Sequence, residues 1–141
     1  MPPPPAIRHI GVLGFDGVQA LDIAAPLDVF TAANDLSDGE GPLYRIWVVG
    51  LQPGGFRAES GLAMSCEVAA EAAPAFDTII VPGGVGLRRA DGPVIAAAAW
   101  LKTRAPTTRR VASVCTGLYA LAATGLLDGL RVTTHWRFAA D

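Results

Sequence analysis

The sequence predicts an α/β fold in which a parallel sheet is covered by helices on both faces. Two strand–turn–helix steps carry this expectation, one over residues 77–103 and one over 110–127, because short turns between alternating strands and helices imply right-handed crossovers joining parallel neighbours. Composition is the third observation. Hydrophobic residues make up 51% of the 141 and charged residues 17%, which excludes a disordered chain, because there is ample apolar surface to offset the entropy of ordering.

Pro2 to Pro5 can join neither a sheet nor a helix interior, so residues 1–7 are expected to be a disordered, proline-rich lead-in. Residues 10–15 read as a short buried strand. Over residues 20–34, Leu21, Ala24, Ala25, Val29, Phe30 and Ala33 recur at helical spacing and predict a helix with one apolar face. Pro26 is expected in its first turns, where a missing N–H costs least. Residues 44–49 form a second apolar run bounded by Gly50 and Pro53-Gly54-Gly55, and residues 56–69 suit a short hairpin or extended excursion carrying Cys66.

The later units are punctuated more clearly. A buried strand over 77–81 is broken by Pro82-Gly83-Gly84, and Asp91-Gly92-Pro93 opens an alanine-rich helix running to about Thr103. Residues 110–114 make the next strand and Cys115-Thr116-Gly117 the turn. A helix over 118–127 is then closed by Asp128-Gly129, and residues 130–134 make a further strand. From Arg137 to Asp141 a new amphipathic helix begins with no cap and no further strand, so the domain over residues 8–141 is expected to lack its C-terminal elements.

A chain of this length holds one domain with a sizeable core. Its formal net charge is −2, and the nearest approach to a basic cluster, Arg104, Arg109 and Arg110, has no interleaved aromatics, so this segment is a poor nucleic-acid binder by itself. Cys66 and Cys115 have neither C-x-x-C nor zinc spacing, which points to a reducing compartment and to no metal or other cofactor. The start lacks the order of a signal peptide, and the longest apolar stretch, 94–101, is too short to span a bilayer. A cytoplasmic location with no membrane partner follows.

Chemistry concentrates at the carboxyl ends of the predicted strands. In Ser113-Val114-Cys115-Thr116-Gly117 a strand ends at a cysteine and a glycine two residues later lets the chain turn, the geometry of a nucleophile elbow. Cys115 would lie near the amino end of the following helix, whose partial positive charge favours thiolate over thiol. A buried structural cysteine fits the tripeptide equally well. Gly83 and Gly84 follow one strand, Cys115 the next and His135 a third, and ligands of open parallel sheets bind at such carboxyl ends. The Gly84 amide is the candidate second oxyanion donor, although Pro-Gly-Gly also reads as a plain turn. Asp22, in an apolar setting after the first strand, suits a helix N-cap, or a partner that holds the sulfur or moves its proton. His135 suits either a satisfied core histidine or a ligand contact.

Phe15-Asp16-Gly17-Val18-Gln19-Ala20-Leu21-Asp22, Pro26-Leu27-Asp28-Val29-Phe30, Val81-Pro82-Gly83-Gly84, Ser113-Val114-Cys115-Thr116-Gly117 and Thr133-Thr134-His135-Trp136 together resemble the ThiJ/PfpI superfamily, a branch of the class I glutamine-amidotransferase-like fold, itself flavodoxin-like. Two subfamilies share this wording: isonitrile hydratases and the amino-terminal domains of AraC-type transcription regulators, with 109–117, 125–129 and 134–137 more like the regulators. The resemblance implies a nucleophilic Cys115 assisted by Asp22, with Thr116 beside it, and it implies homodimers. Thr116 stands where PfpI-type peptidases place a histidine, Asp22 stands where the deglycase and chaperone branch has glutamate, and the later His-x-Glu of amidotransferases is absent, so those activities are disfavoured. The expected function is therefore effector sensing for an AraC-type regulator, with DNA bound only through a domain outside this chain. A cysteine-dependent isonitrile hydratase or related small-molecule hydrolase is the alternative.

Overall fold

The computed structural model describes residues 6–39 and 41–141, and the lead-in expected over Pro2 to Pro5 lies outside them. In chain order the elements are β1 (Arg8–Gly14), α1 (Ala20–Asp35), β2 (Tyr44–Gly50), β3 (Phe56–Arg57), β4 (Ala63–Met64), β5 (Val68–Ala69), β6 (Thr78–Val81), α2 (Val85–Arg88), α3 (Pro93–Arg104), β7 (Arg110–Ser113) and α4 (Leu118–Ala122). The main sheet has the order β5-β2-β1-β6-β7, and every neighbouring pair is parallel. Central β1 pairs Val12 with Val48 on one side and with Ile80 on the other. Ile10, Val12, Leu13, Val49, Ile79 and Val81 are buried to within 1% of full enclosure, as residues covered on both faces must be.

The chain leaves β1 through α1 to reach β2 and later crosses from β6 through α2 and α3 to reach β7 on the opposite side. Right-handed crossovers in opposite directions place α1 and α3 on opposite faces. The order reverses between β1 and β6, and open α/β sheets bind ligands outside the carboxyl ends at such a switch. The two-stranded excursion forms as expected from β3 and β4, while β5, which the sequence reading merged into it, joins the edge of the main sheet instead.

Three expectations are corrected. The inner face of α1 is the stripe through Ile23, Leu27 and Phe30, not the one through Leu21, Ala24, Ala25 and Val29; Leu21 and Val29 are 68% and 64% exposed. A helix this rich in alanine presents two apolar stripes, and the branched and aromatic one packs on the sheet. Pro26 falls in the second turn of α1, which starts at Ala20, and so within its first turns as expected. The predicted helix over 118–127 stops at Ala122, and the chain turns through Gly125, which takes φ +80°, a conformation costly for residues with a Cβ. Residues 130–134 form no strand: Leu130 and Val132 are exposed, and Val132, Thr133 and Thr134 line a cavity with α4 rather than pairing along β7. An extended segment without a ladder partner leaves its backbone groups to water, and it is not held as strand.

Two members of the expected basic cluster have internal partners. Arg104 donates to the carbonyls of Ala70, Ala73 and Pro74, and Arg109 grips the Asp77 carboxylate through two nitrogens at 2.7 and 2.8 Å. Among the described residues no helix is long and apolar enough to cross a membrane.

Candidate functional site

The site is built from two turns, one after β6 and one after β7. Val114 N–H donates to Val81 O at 2.9 Å, which carries the pairing of the two strands up to the point where they end. Gly117 makes the turn possible: a Cβ there would lie 2.0 Å from Val81 O, so only glycine lets the chains approach this closely. Between them Cys115 adopts φ +53°, the sole non-glycine residue at positive φ among the described residues. That strained geometry costs about 1–2 kcal/mol for a residue with a Cβ. Cys115 is half-buried, not enclosed.

The β6 turn is held by side chains from three other elements. Gly83 N–H donates to Asp22 Oδ2 at 3.0 Å, Gly84 N–H to Thr116 Oγ1 at 3.0 Å, and Val85 N–H to Glu59 Oε2 at 2.9 Å. Three consecutive amides that could have cradled an anion are thus satisfied within the protein. Gly84 itself, at φ +144°, leaves no room for a Cβ, which would meet Gly17 O at 2.2 Å.

Asp22 and Cys115 converge on Gly83, Asp22 through its hydrogen bond and Cys115 through its Cβ, which a Cβ on Gly83 would meet at 2.9 Å. Asp22 does not cap its own helix. Gln19 is the N-cap of α1, and the Asp22 carboxylate reaches a residue 61 positions away. Thr116 is 2% exposed and bridges the two turns. Among the described residues its N–H, the amide that follows the cysteine, donates to no acceptor.

His135 lies apart from this convergence. The strand expected before it does not form, and its Nδ1 accepts the Arg137 N–H at 3.2 Å, capping a short 3-10 turn over Trp136–Phe138. Its neighbour Thr134 is the residue that reaches the β7 turn, donating from Oγ1 to Cys115 O at 3.0 Å. The segment is pinned further by Arg88 over the Phe138 ring at 4.2 Å and by Tyr119 OH donating to Asp141 at 3.0 Å. Burial and that bond push the Tyr119 phenol above its ordinary range. A cavity of about 400 Å³ lies beneath, lined by Leu118, Tyr119, Ala122, Thr134 and Phe138 among others.

The electrostatic support expected for Cys115 is smaller than a ten-residue helix would give, because α4 has five residues and few peptide dipoles to sum. Cys66 is half-buried and packs beside Gly50, with its sulfur 3.9 Å from Gln52 O. Sequence reasoning missed Glu59 and Thr134. Thr134 had a signal in the Thr133-Thr134-His135-Trp136 motif; Glu59 had none, since only the fold brings the hairpin tip to α2.

Comparison with known proteins decides the family. The DJ-1/PfpI family profile matches residues 8–141. The chain belongs to the DJ-1/PfpI family. It is 43% identical over 134 residues to an uncharacterized protein in the cpoL 5' region of Streptomyces lividans, covering 94% of this chain and 91% of that one. It is 36% identical to the HTH-type transcriptional regulator GbdR of Pseudomonas aeruginosa, over 97% of this chain but 37% of the regulator. It is also 36% identical to the isonitrile hydratase of Pseudomonas putida, over 92% of this chain and 53% of the enzyme. The chain thus spans about a third to a half of those two relatives. The crystal structure of a ThiJ/PfpI family protein from Pseudomonas syringae superposes with a TM-score of 0.75 at 25% identity, over 94% of this chain and 52% of that one.

Proposed function

We propose that residues 8–141 form the small-molecule-sensing domain of an AraC-type transcription regulator, working in the cytoplasm as a homodimer and reaching DNA only through a separate domain. The observation that carries this reading is the engagement of the β6 turn: the Gly83, Gly84 and Val85 amides all donate to side chains of the protein. A catalytic oxyanion hole needs preorganised donors free to meet developing charge. Here the Thr116 N–H is the free backbone donor beside the sulfur, which suits anchoring one acceptor atom of a metabolite, with Gly83 and Gly84 packed beside it. The likeness to GbdR, confined to just over a third of that regulator, supports the same reading.

A second reading is favoured by the strained Cys115 and the likeness to isonitrile hydratase. In it the Cys115 thiolate adds to the terminal carbon of an isonitrile, and a proton delivered through Asp22 goes to that carbon. Water then adds to the same carbon and displaces the sulfur, releasing an N-substituted formamide and restoring the thiol. Incubating the chain with cyclohexyl isocyanide and following formamide by NMR separates the two. The sensing reading expects no turnover above that of Cys115→Ala; formamide production that disappears in Cys115→Ala replaces sensing with catalysis.

A further inference from the structure

The Cys115–Thr116 peptide carries two groups that matter at the elbow. Its N–H is the free donor beside the sulfur, and its C=O accepts the Thr134 hydroxyl at 3.0 Å. Neighbouring peptides are tethered as well: Val114 N–H donates to Val81 O, Gly117 N–H to Val114 O, and Gly84 N–H to the Thr116 side chain. That peptide plane turns about ψ of Cys115 and φ of Thr116, and its rotation would carry the N–H away from the site.

We infer that Thr134 is a positioning residue whose hydroxyl locks the Cys115–Thr116 peptide, so that the Thr116 N–H points at an atom bound beside the Cys115 sulfur. This rests on the reading of the elbow as the ligand-facing site. Two physical effects follow from one bond. The hydroxyl fixes the carbonyl direction, and the N–H on the opposite side of the planar unit is fixed with it. A hydrogen bond to the carbonyl also polarises the amide and strengthens its N–H as a donor. Thr134 lies 19 residues after Cys115, in a segment without strand or helix of its own, yet it is half-buried and turned onto this carbonyl.

The test compares Thr134→Val, which keeps the shape and removes the hydroxyl, with Thr134→Ser, which keeps the hydroxyl. Two reagents probe Cys115 in the full chain. Iodoacetamide alkylates the thiolate without needing an oxyanion donor. In p-nitrophenyl acetate the thiolate attacks the carbonyl carbon, the C–S bond forms, the C–O bond breaks and p-nitrophenolate leaves with the negative charge. The passing oxyanion needs the Thr116 N–H. Thr134→Val is expected to slow acylation about tenfold, less than the loss of an oxyanion donor itself, with alkylation unchanged, and Thr134→Ser to restore acylation. The Cys115 carbonyl resonance, followed by NMR in labelled protein, is expected to move in Thr134→Val and return in Thr134→Ser. Equal acylation of parent and Thr134→Val at a reactive thiol overturns the inference. If Cys115 of the parent takes up neither reagent, the ligand-facing reading of the elbow fails, and an unmoved carbonyl resonance then overturns the role of Thr134 separately.

Discussion

The turns after β6 and β7 solve the same problem in different ways. Both end a parallel strand at the carboxyl edge, buried in β6 and half-buried in β7, and both place a left-handed residue before a helix. After β6 that residue is Gly84, at φ +144°, for which the conformation is free. After β7 it is Cys115, at φ +53°, where a side chain makes it costly. The β6 turn is quieted by three side-chain acceptors, whereas the β7 turn leaves the Thr116 N–H unengaged. Strain and an open donor occur together on one side of the site only. At position 115 a cysteine is held in a conformation better suited to glycine.

The contrast is broken most severely at Gly117. A Cβ there would press on Val81 O at 2.0 Å and Pro82 O at 2.9 Å, both backbone atoms that cannot swing aside. Gly117→Ala should lower stability by about 3 kcal/mol or more in urea denaturation, since β6 and β7 must separate at the site to admit it. A loss under about 1 kcal/mol would mean that the two turns are not locked together as described.

The site was legible in part for the same reason. Gly83, Gly84, Cys115 and Gly117 stand in short sequence patterns whose backbone demands are local, so a strand, a break and a turn can be read from a few adjacent residues. Asp22 was found by its apolar setting, but its partner was not, because the Gly83 N–H is 61 residues away. The carboxyl-terminal part misled for a physical reason. Residues 118–127 and 130–134 have the composition of a helix and a strand, but a strand is realised only by pairing, and Gly125 stopped α4 before Gly129 was reached. The stripe of α1 that packs inward was likewise a tertiary choice between two apolar faces.

A subtler test replaces Cys115 by the residue its backbone prefers. Cys115→Gly relieves the left-handed strain, offset by the greater freedom of glycine in the unfolded chain, so stability should stay level or rise by roughly 0.5 kcal/mol. Cys115→Ala keeps the strain and loses the sulfur's contacts, so it should fall below the parent by a similar roughly 0.5 kcal/mol. Chemical denaturation of the three proteins checks the ranking. If Cys115→Gly is the least stable, φ +53° is not strained in this environment and the contrast with Gly84 loses its meaning.

The smallest effect lies at the opposite ends of the same two strands. Asp77 precedes β6 and Arg109 precedes β7, and their ion pair, with the Arg110 N–H donating to Asp77 O at 3.1 Å, fixes the amino ends of the strands whose carboxyl ends carry the turns. The hydrogen bond from Arg109 lowers the Asp77 carboxyl from 3.8 to about 2; desolvation opposes this, while the Thr78 hydroxyl and the charges of Arg109 and Arg8 assist it. A carboxyl lowered on folding stabilises the folded state fully above its unfolded value, and that contribution is lost as the pH falls through its folded value. The parent should therefore melt slightly above Arg109→Gln near neutral pH, and the gap should close between about pH 4 and pH 2. Every other carboxyl titrates in both proteins, so the difference between the two melting curves isolates this pair. A gap that persists unchanged down to pH 2 would assign the effect of Arg109 to packing of its stem, and the amino ends of β6 and β7 would then be held by their ladder alone.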